Sequence, residues 1–156
     1  MTQTQPQTGH SDSPTTPDLG LVQITNPHLE ILGPLCRPLL DRVTPLTRGM
    51  ISTEDVFRLV AEDRYQLWTV VEKHSGNVRC VGVTQINEYP SGMKVCEILL
   101  CAGDGMRDWI STLADVEKWA RMNGCDRVLV NGRRGWVRML TGYEEQYTVL
   151  SKPLGD

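Results

Sequence analysis

The sequence contains no Cys-x-x-Cys pair, only three histidines and no long apolar run. Each absence removes a class of function. His10, His28 and His74 are scattered, and the cysteines at Cys36, Cys80, Cys96, Cys101 and Cys125 are odd in number. Neither a zinc framework nor a disulfide framework is indicated; reduced, buried thiols are expected. No segment reaches signal-peptide or transmembrane length, so a soluble intracellular protein without a membrane partner is expected. Gly9 does not stand at the second position, which excludes N-myristoylation. The formal net charge of −3 gives no general attraction to nucleic acid, although a local basic patch leaves that partner open. What is present is ordinary for a globular chain. Of 156 residues, 40% are apolar and 22% charged, enough for one domain with a real core.

Residues 1–19 are rich in Thr, Gln, Ser and Pro and have almost nothing to bury. Such an arm is disordered when free and ordered only on a partner. Residues 20–156 form the domain. Leu21–Thr25 alternates as a short strand. Asn26-Pro27 signals a helix start, with Asn26 as cap, but Pro34 and Pro38 predict short, broken turns through Val43. Ser52 and Asp55 fit a capping box for a better helix bearing Val56, Leu59 and Val60. Gln66–Glu72, Val78–Ile86 and Lys94–Cys101 read as an antiparallel three-strand meander, with turns at His74–Asn77 and Tyr89–Gly92.

The stretch Lys94–Trp119 organises the rest: an apolar strand, the turn Gly103-Asp104-Gly105, and a helix. Trp109, Leu113, Val116 and Ala120 mark the helix's single apolar face. A Gly-x-Gly turn that opens a helix exposes backbone N–H groups suited to an anion. Asn123-Gly124 stops the helix, and Asp126–Val130 returns as a parallel strand. Trp136–Leu140 reads as one or two helical turns, and Tyr143–Leu150 as a last strand.

This order resembles the GNAT N-acyltransferase superfamily over residues 21–152. The resemblance implies an α+β fold: a mixed, mostly antiparallel sheet flanked by helices, here with an extended N-terminal arm. In that family the fourth strand runs into a pyrophosphate loop, Gln/Arg-x-x-Gly-x-Gly/Ala, and acetyl-CoA lies between the fourth and fifth strands. Gly103 and Gly105 fall on the loop glycines, Asn131 on a downstream asparagine, and Gly142-Tyr143 on a Gly-Phe pair. Leu100 replaces the Gln/Arg, and Arg138 takes the place of a tyrosine that protonates the leaving thiolate. Asp104 and Asp108 add carboxylates where a pyrophosphate would sit. A closer resemblance is to small GNAT-like proteins of tailed bacteriophages and prophages. It is carried by Gln66-Leu67-Trp68, Asn87-Glu88-Tyr89-Pro90, Trp119-Ala120, Gly124-Cys125, Gly132-Arg133-Arg134-Gly135-Trp136 and Tyr147–Lys152.

The resemblance implies a phage structural or assembly protein with a degenerate acetyltransferase site, located in the host cytoplasm or the virion. The alternative is an acetyl-CoA-dependent N-acetyltransferase working by direct transfer to an amine. In that case Gly103, Gly105, Met106, Arg107 and Asn131 would hold acetyl-CoA. Glu97 interrupts an apolar strand and is the candidate base; its bland reading is a rim carboxylate paired with Arg or Lys. Glu88, at a turn, is a weaker candidate. Tyr143 and Tyr147 could donate hydroxyls, but core or edge packing is the stronger reading of both. Cys101 has no histidine to activate it and reads as a buried thiol. Arg127, Arg133, Arg134 and Arg138 surround Trp136 as a basic patch. Arg133, Arg134 and Trp136 suit a protein–protein anchor, which with the arm would engage virion or assembly proteins.

Overall fold

A computed structural model describes residues 18–155, so the expected N-terminal arm lies, through residue 17, outside the described residues. The elements are β1 (Leu19–Ile24), α1 (Asn26–Val43), α2 (Thr53–Ala61), β2 (Gln66–Glu72), β3 (Val78–Glu88), β4 (Lys94–Gly103), α3 (Met106–Trp109), α4 (Leu113–Met122) and β5 (Arg127–Val130). Short 3-10 turns occupy Thr44–Thr47, Ile110–Thr112 and Arg134–Arg138. One sheet has the order β1-β2-β3-β4-β5. Its first four strands are antiparallel neighbours, and β5 lies parallel to β4 after the α4 crossover. The fold is α+β, with a mixed, mostly antiparallel sheet flanked by helices.

Strand alternation divides the sheet into two faces. Leu67, Val81, Val83 and Leu100 point to α1 and α2, where Cys36, Leu40, Val56 and Val60 complete the larger core. Val70 and Cys80 point the other way, against Trp109, Met106 and Ile110. On that second face the Trp68 and Trp119 rings meet edge-on, 5.0 Å apart at 79°. Trp68 Nε1 donates to Thr84 Oγ1 at 2.9 Å, and Thr84 Oγ1 donates to Gln66 Oε1 at 2.8 Å. The buried indole N–H is thereby satisfied.

Four sequence expectations need correction. The helix α1 is continuous over 18 residues despite Pro34 and Pro38. The prolines lie four apart on the exposed side, so the carbonyls of Glu30 and Pro34 that lose a donor are on the exposed side too. Burial of Gly33, Cys36, Leu39, Leu40 and Val43 on the opposite side holds the helix together. Its cap is Thr25 rather than Asn26, which instead donates its side-chain amide to the Ala61 carbonyl at 2.9 Å. The helix after Gly105 breaks into α3, a 3-10 turn and α4, although Trp109, Val116 and Ala120 are buried as its periodicity requires. Finally, Tyr143–Leu150 is not a strand: it has no ladder partner among the described residues, and Tyr147, Val149 and Leu150 are exposed. The capping box of α2 forms as expected, with Ser52 Oγ accepting from Asp55 N at 3.0 Å and Asp55 Oδ2 accepting from Ser52 N at 2.9 Å.

Candidate functional site

The register of β4 determines the shape of the site. Thr84 pairs with Ile98 and Val83 with Leu100, so Leu99 is an extra residue without a partner on β3. This bulge turns Leu99 and Leu100 toward the α1 core. It also leaves Ile98 and Cys101 together on the α4 side, where both line a narrow apolar cavity of about 60 Å³ with Val116, Val130, Trp136 and Leu140. Pairing between β4 and β5 stops at the same place. Ile98 opposite Val130 is the last ladder pair, and Asn131 N closes it on the Ile98 carbonyl at 3.0 Å. Among the described residues, β4 from Leu99 to Gly103 therefore has strand β3 on one side and no strand on the other. The β4–β5 ladder thus ends at the bulge.

Glu97 stands just before that end, half-buried, opposite Leu129 of β5. It faces the α1 side of the sheet. Tyr89 Oη donates to Glu97 Oε1 at 2.8 Å, and this bond pushes the tyrosine hydroxyl above its ordinary pKa. Beside the pair lies an open cleft of about 420 Å³ bounded by Tyr89, Met93, Val95, Arg127, Leu129 and Tyr147. A carboxylate fixed by a phenol at the edge of a solvent-reached cleft can accept a proton from an amine. Glu88 ends β3 in an exposed position opposite Lys94.

Tyr143 is on the other side. Its hydroxyl donates to Glu117 Oε2 of α4 at 3.2 Å, and burial, then the Glu117 charge, raises its pKa well above the tyrosine range. The sheet separates it from Glu97, so the two do not form one acid–base pair. Cys101 lies with its Sγ 3.8 Å from Cys80 Sγ. The contact with Cys101 and then burial hold the Cys80 thiol protonated.

The glycine turn is occupied by the chain's own side chains. A Cβ at Gly103 would lie 2.5 Å from the Arg79 carbonyl oxygen and 2.9 Å from Cys80 Cα, so the residue is glycine because β3 passes against it. Gly105 has φ +67°, and a Cβ there would lie 2.6 Å from Arg79 Nη2. Arg79 is held by Glu72 at 2.7 Å and by Asp108 at 3.1 Å. Asp104 pairs with Arg42 of α1 at 3.3 Å, with both side chains more than half exposed. Met106 packs into the second cluster, whereas Arg107 is exposed. Asn131, Arg133 and Arg138 are exposed, and the Arg134 side chain lies outside what the structure describes. Trp136 turns inward against the second cluster and over Gly132.

Sequence reasoning missed Tyr89, Arg79 and Arg42. Tyr89 and Arg79 were within reach of it. Once the β3–β4 hairpin is aligned, Arg79 falls beside Gly103 and Tyr89 beside the start of β4. Arg42 comes from a distant helix and left no such signal.

The fold recurs among solved acetyltransferases. An aminoglycoside acetyltransferase, meta-AAC0020, from an uncultured soil metagenomic sample and in complex with sisomicin, superposes with a TM-score of 0.67 at 13% identity, over 88% of this chain and 97% of that one. The aminoglycoside N-acetyltransferase AAC(6')-Iy in complex with CoA gives 0.62 at 16%, over 86% and 93%. A GNAT family acetyltransferase from Staphylococcus aureus gives 0.60 at 16%, over 87% and 98%. The chain has the GNAT fold. No family model matches the sequence, and no curated protein matches it. Among the described residues, no helix is long and apolar enough to cross a membrane.

Proposed function

We propose that this chain binds acetyl-CoA between β4 and β5 and transfers the acetyl group directly to an amine. The observation that carries the reading is the coincidence of the Leu99 bulge with the end of β4–β5 pairing, next to Glu97. The residues present suit a thioester donor along the unpaired edge from Leu99 to Gly103, where backbone groups are offered without a neighbouring strand. They suit its phosphates less directly, because Asp104 and Asp108 stand at the turn. The Arg42–Asp104 pair, however, is exposed, and such pairs contribute about 0–1 kcal/mol. Exchanging Asp104 for a phosphate on Arg42 therefore costs little, and exposed Arg107 is available on the same turn. Bound acetyl-CoA supplies the activated carbonyl. Glu97, oriented by Tyr89, takes the proton from the attacking nitrogen, and the 420 Å³ cleft receives the rest of the amine. Incubating the protein with acetyl-CoA and a panel of amines, with chromatographic measurement of free CoA, tests this. Acceptor-dependent CoA release that falls in Glu97→Gln supports it; no release with any amine counts against it.

A second reading is favoured by one observation: Arg42 and Arg79 are already paired with the turn's carboxylates, and Arg138 stands where the family resemblance expects the proton-donating tyrosine. In that reading the chain is a phage virion or assembly component that keeps the scaffold without the chemistry. In it residues 1–19 and exposed Arg133 contact neighbouring virion proteins, whereas Trp136 is turned inward. Deleting residues 1–19 then abolishes incorporation into particles; unchanged incorporation removes this reading.

A further inference from the structure

We infer that the cleft beside Glu97 takes a zwitterion: a free amino acid with an apolar side chain, its ammonium on Glu97 and its carboxylate on Arg127. The inference rests on the acyl-transfer reading for the fate of the bound amine, but not for its binding. Three observations carry it.

The first is a pair of opposite charges on one face. Val95 pairs with Arg127 and Glu97 with Leu129, so strand alternation puts all four on the same side of the sheet. Arg127 and Glu97 are therefore one step apart along the strands, about 6.6 Å. An ammonium and a carboxylate on one carbon, with a charge-assisted hydrogen bond of about 2.8 Å at each end, span such a gap.

The second is that both charges are open to a ligand. Arg127 is exposed, lines the 420 Å³ cleft and makes no ion pair among the described residues. The charges beside it are engaged elsewhere: Asp126 Oδ2 accepts from Lys94 N at 3.1 Å, and Lys94 Nζ donates to the Asn123 carbonyl at 3.3 Å. The Tyr89 hydroxyl takes Oε1 of Glu97, and a carboxylate has a second oxygen for an ammonium. A simple amine leaves the Arg127 guanidinium unmatched, and a polycation meets it as a like charge.

The third is the wall of the cleft. Tyr89, Met93 and Tyr147 bound it at 42%, 40% and 64% exposure, with Leu129 beside them. Aromatic and thioether side chains gathered at the surface mark a ligand groove, and here they surround the two charges. They offer contact to an apolar body joined to the ammonium and carboxylate. The volume of the cleft lies in the range of small-molecule sites, about 300–1,000 Å³.

The probes that test the inference are L-phenylalanine, its amide and phenethylamine; the last two keep the ring and the amine but not the carboxylate. Calorimetric titration of the full chain, with and without CoA, measures binding. L-Phenylalanine should bind at least tenfold more tightly than either comparator. In Arg127→Ala that advantage should vanish, while the affinity for phenethylamine changes less than twofold and circular dichroism is unchanged. With acetyl-CoA as donor, Arg127→Ala should raise KM for phenylalanine at least tenfold and leave kcat unchanged. Phenylalanine that binds no more tightly than phenethylamine overturns the inference. So does an advantage that survives Arg127→Ala, or a tripeptide that binds in preference to phenylalanine. Carboxylate-dependent binding without CoA release from any amine supports the inference and counts against the transfer. CoA release with amines that lack a carboxylate, and no binding of phenylalanine, overturns the inference and leaves the transfer standing.

Discussion

Gly103 and Gly105 are glycines for reasons internal to the chain. Gly103 lies against the β3 backbone, and Gly105 combines a left-handed φ with the Arg79 guanidinium. Gly103→Ala should therefore destabilise the protein by about 2–3 kcal/mol, because the obstructing atoms are backbone and cannot swing away. Gly105→Ala should cost about 1–2 kcal/mol, since Arg79 can move but the φ strain stays. Urea denaturation of the two variants checks both magnitudes and their order. Thr84→Val leaves the buried Trp68 N–H without an acceptor and should cost about 1–3 kcal/mol by the same measurement. Residues of this kind were only partly legible in the sequence. Glu97 stood out because a carboxylate in an apolar strand is rare. The paired glycines were visible as a turn, but their reading as an anion cradle depended on Arg79, Arg42 and their acidic partners, whose contacts arise only when distant segments pack.

At the scale of elements, burial outweighed local preference. Pro34 and Pro38 suggested a broken α1, yet both sit on the exposed face of a helix whose other face fills the larger core. Pro38→Ala should accordingly stabilise the protein by about 1 kcal/mol or more, seen as a higher denaturation midpoint. Strands β1 to β5, the meander order and the parallel return of β5 were legible, because alternation and turn chemistry are local, whereas the same signals over Tyr143–Leu150 gave no strand. The bulge at Leu99 was not legible, since register is set by what each face packs against. Arg79 joins β2, β3 and α3 through Glu72 and Asp108. Its hydrogen bond holds the Glu72 carboxyl below the ordinary glutamate pKa. A depressed carboxyl stabilises the fold fully above its unfolded value, about 4.3, and loses that contribution as pH falls through the folded value. On lowering the pH from about 5 to about 3, the wild-type protein should lose more stability than Glu72→Gln does, as measured by thermal unfolding.

The whole molecule is a GNAT-fold sheet whose β4–β5 ladder ends at a bulge, with a tyrosine-bound carboxylate just before that end. Nothing in composition or charge marks this feature; it arises only because the bulge and the end of the short β5 coincide in space. If transfer occurs there, Glu97→Gln should lower kcat by about 10²–10⁴-fold while leaving donor affinity unchanged, because Glu97 lies beside the acceptor cleft. Donor binding comes first, and calorimetric titration of the full chain with acetyl-CoA measures it directly. The account predicts saturable binding in the micromolar range that is lost in Gly105→Glu, where a third carboxylate enters the turn. No heat of binding at millimolar acetyl-CoA would contradict it.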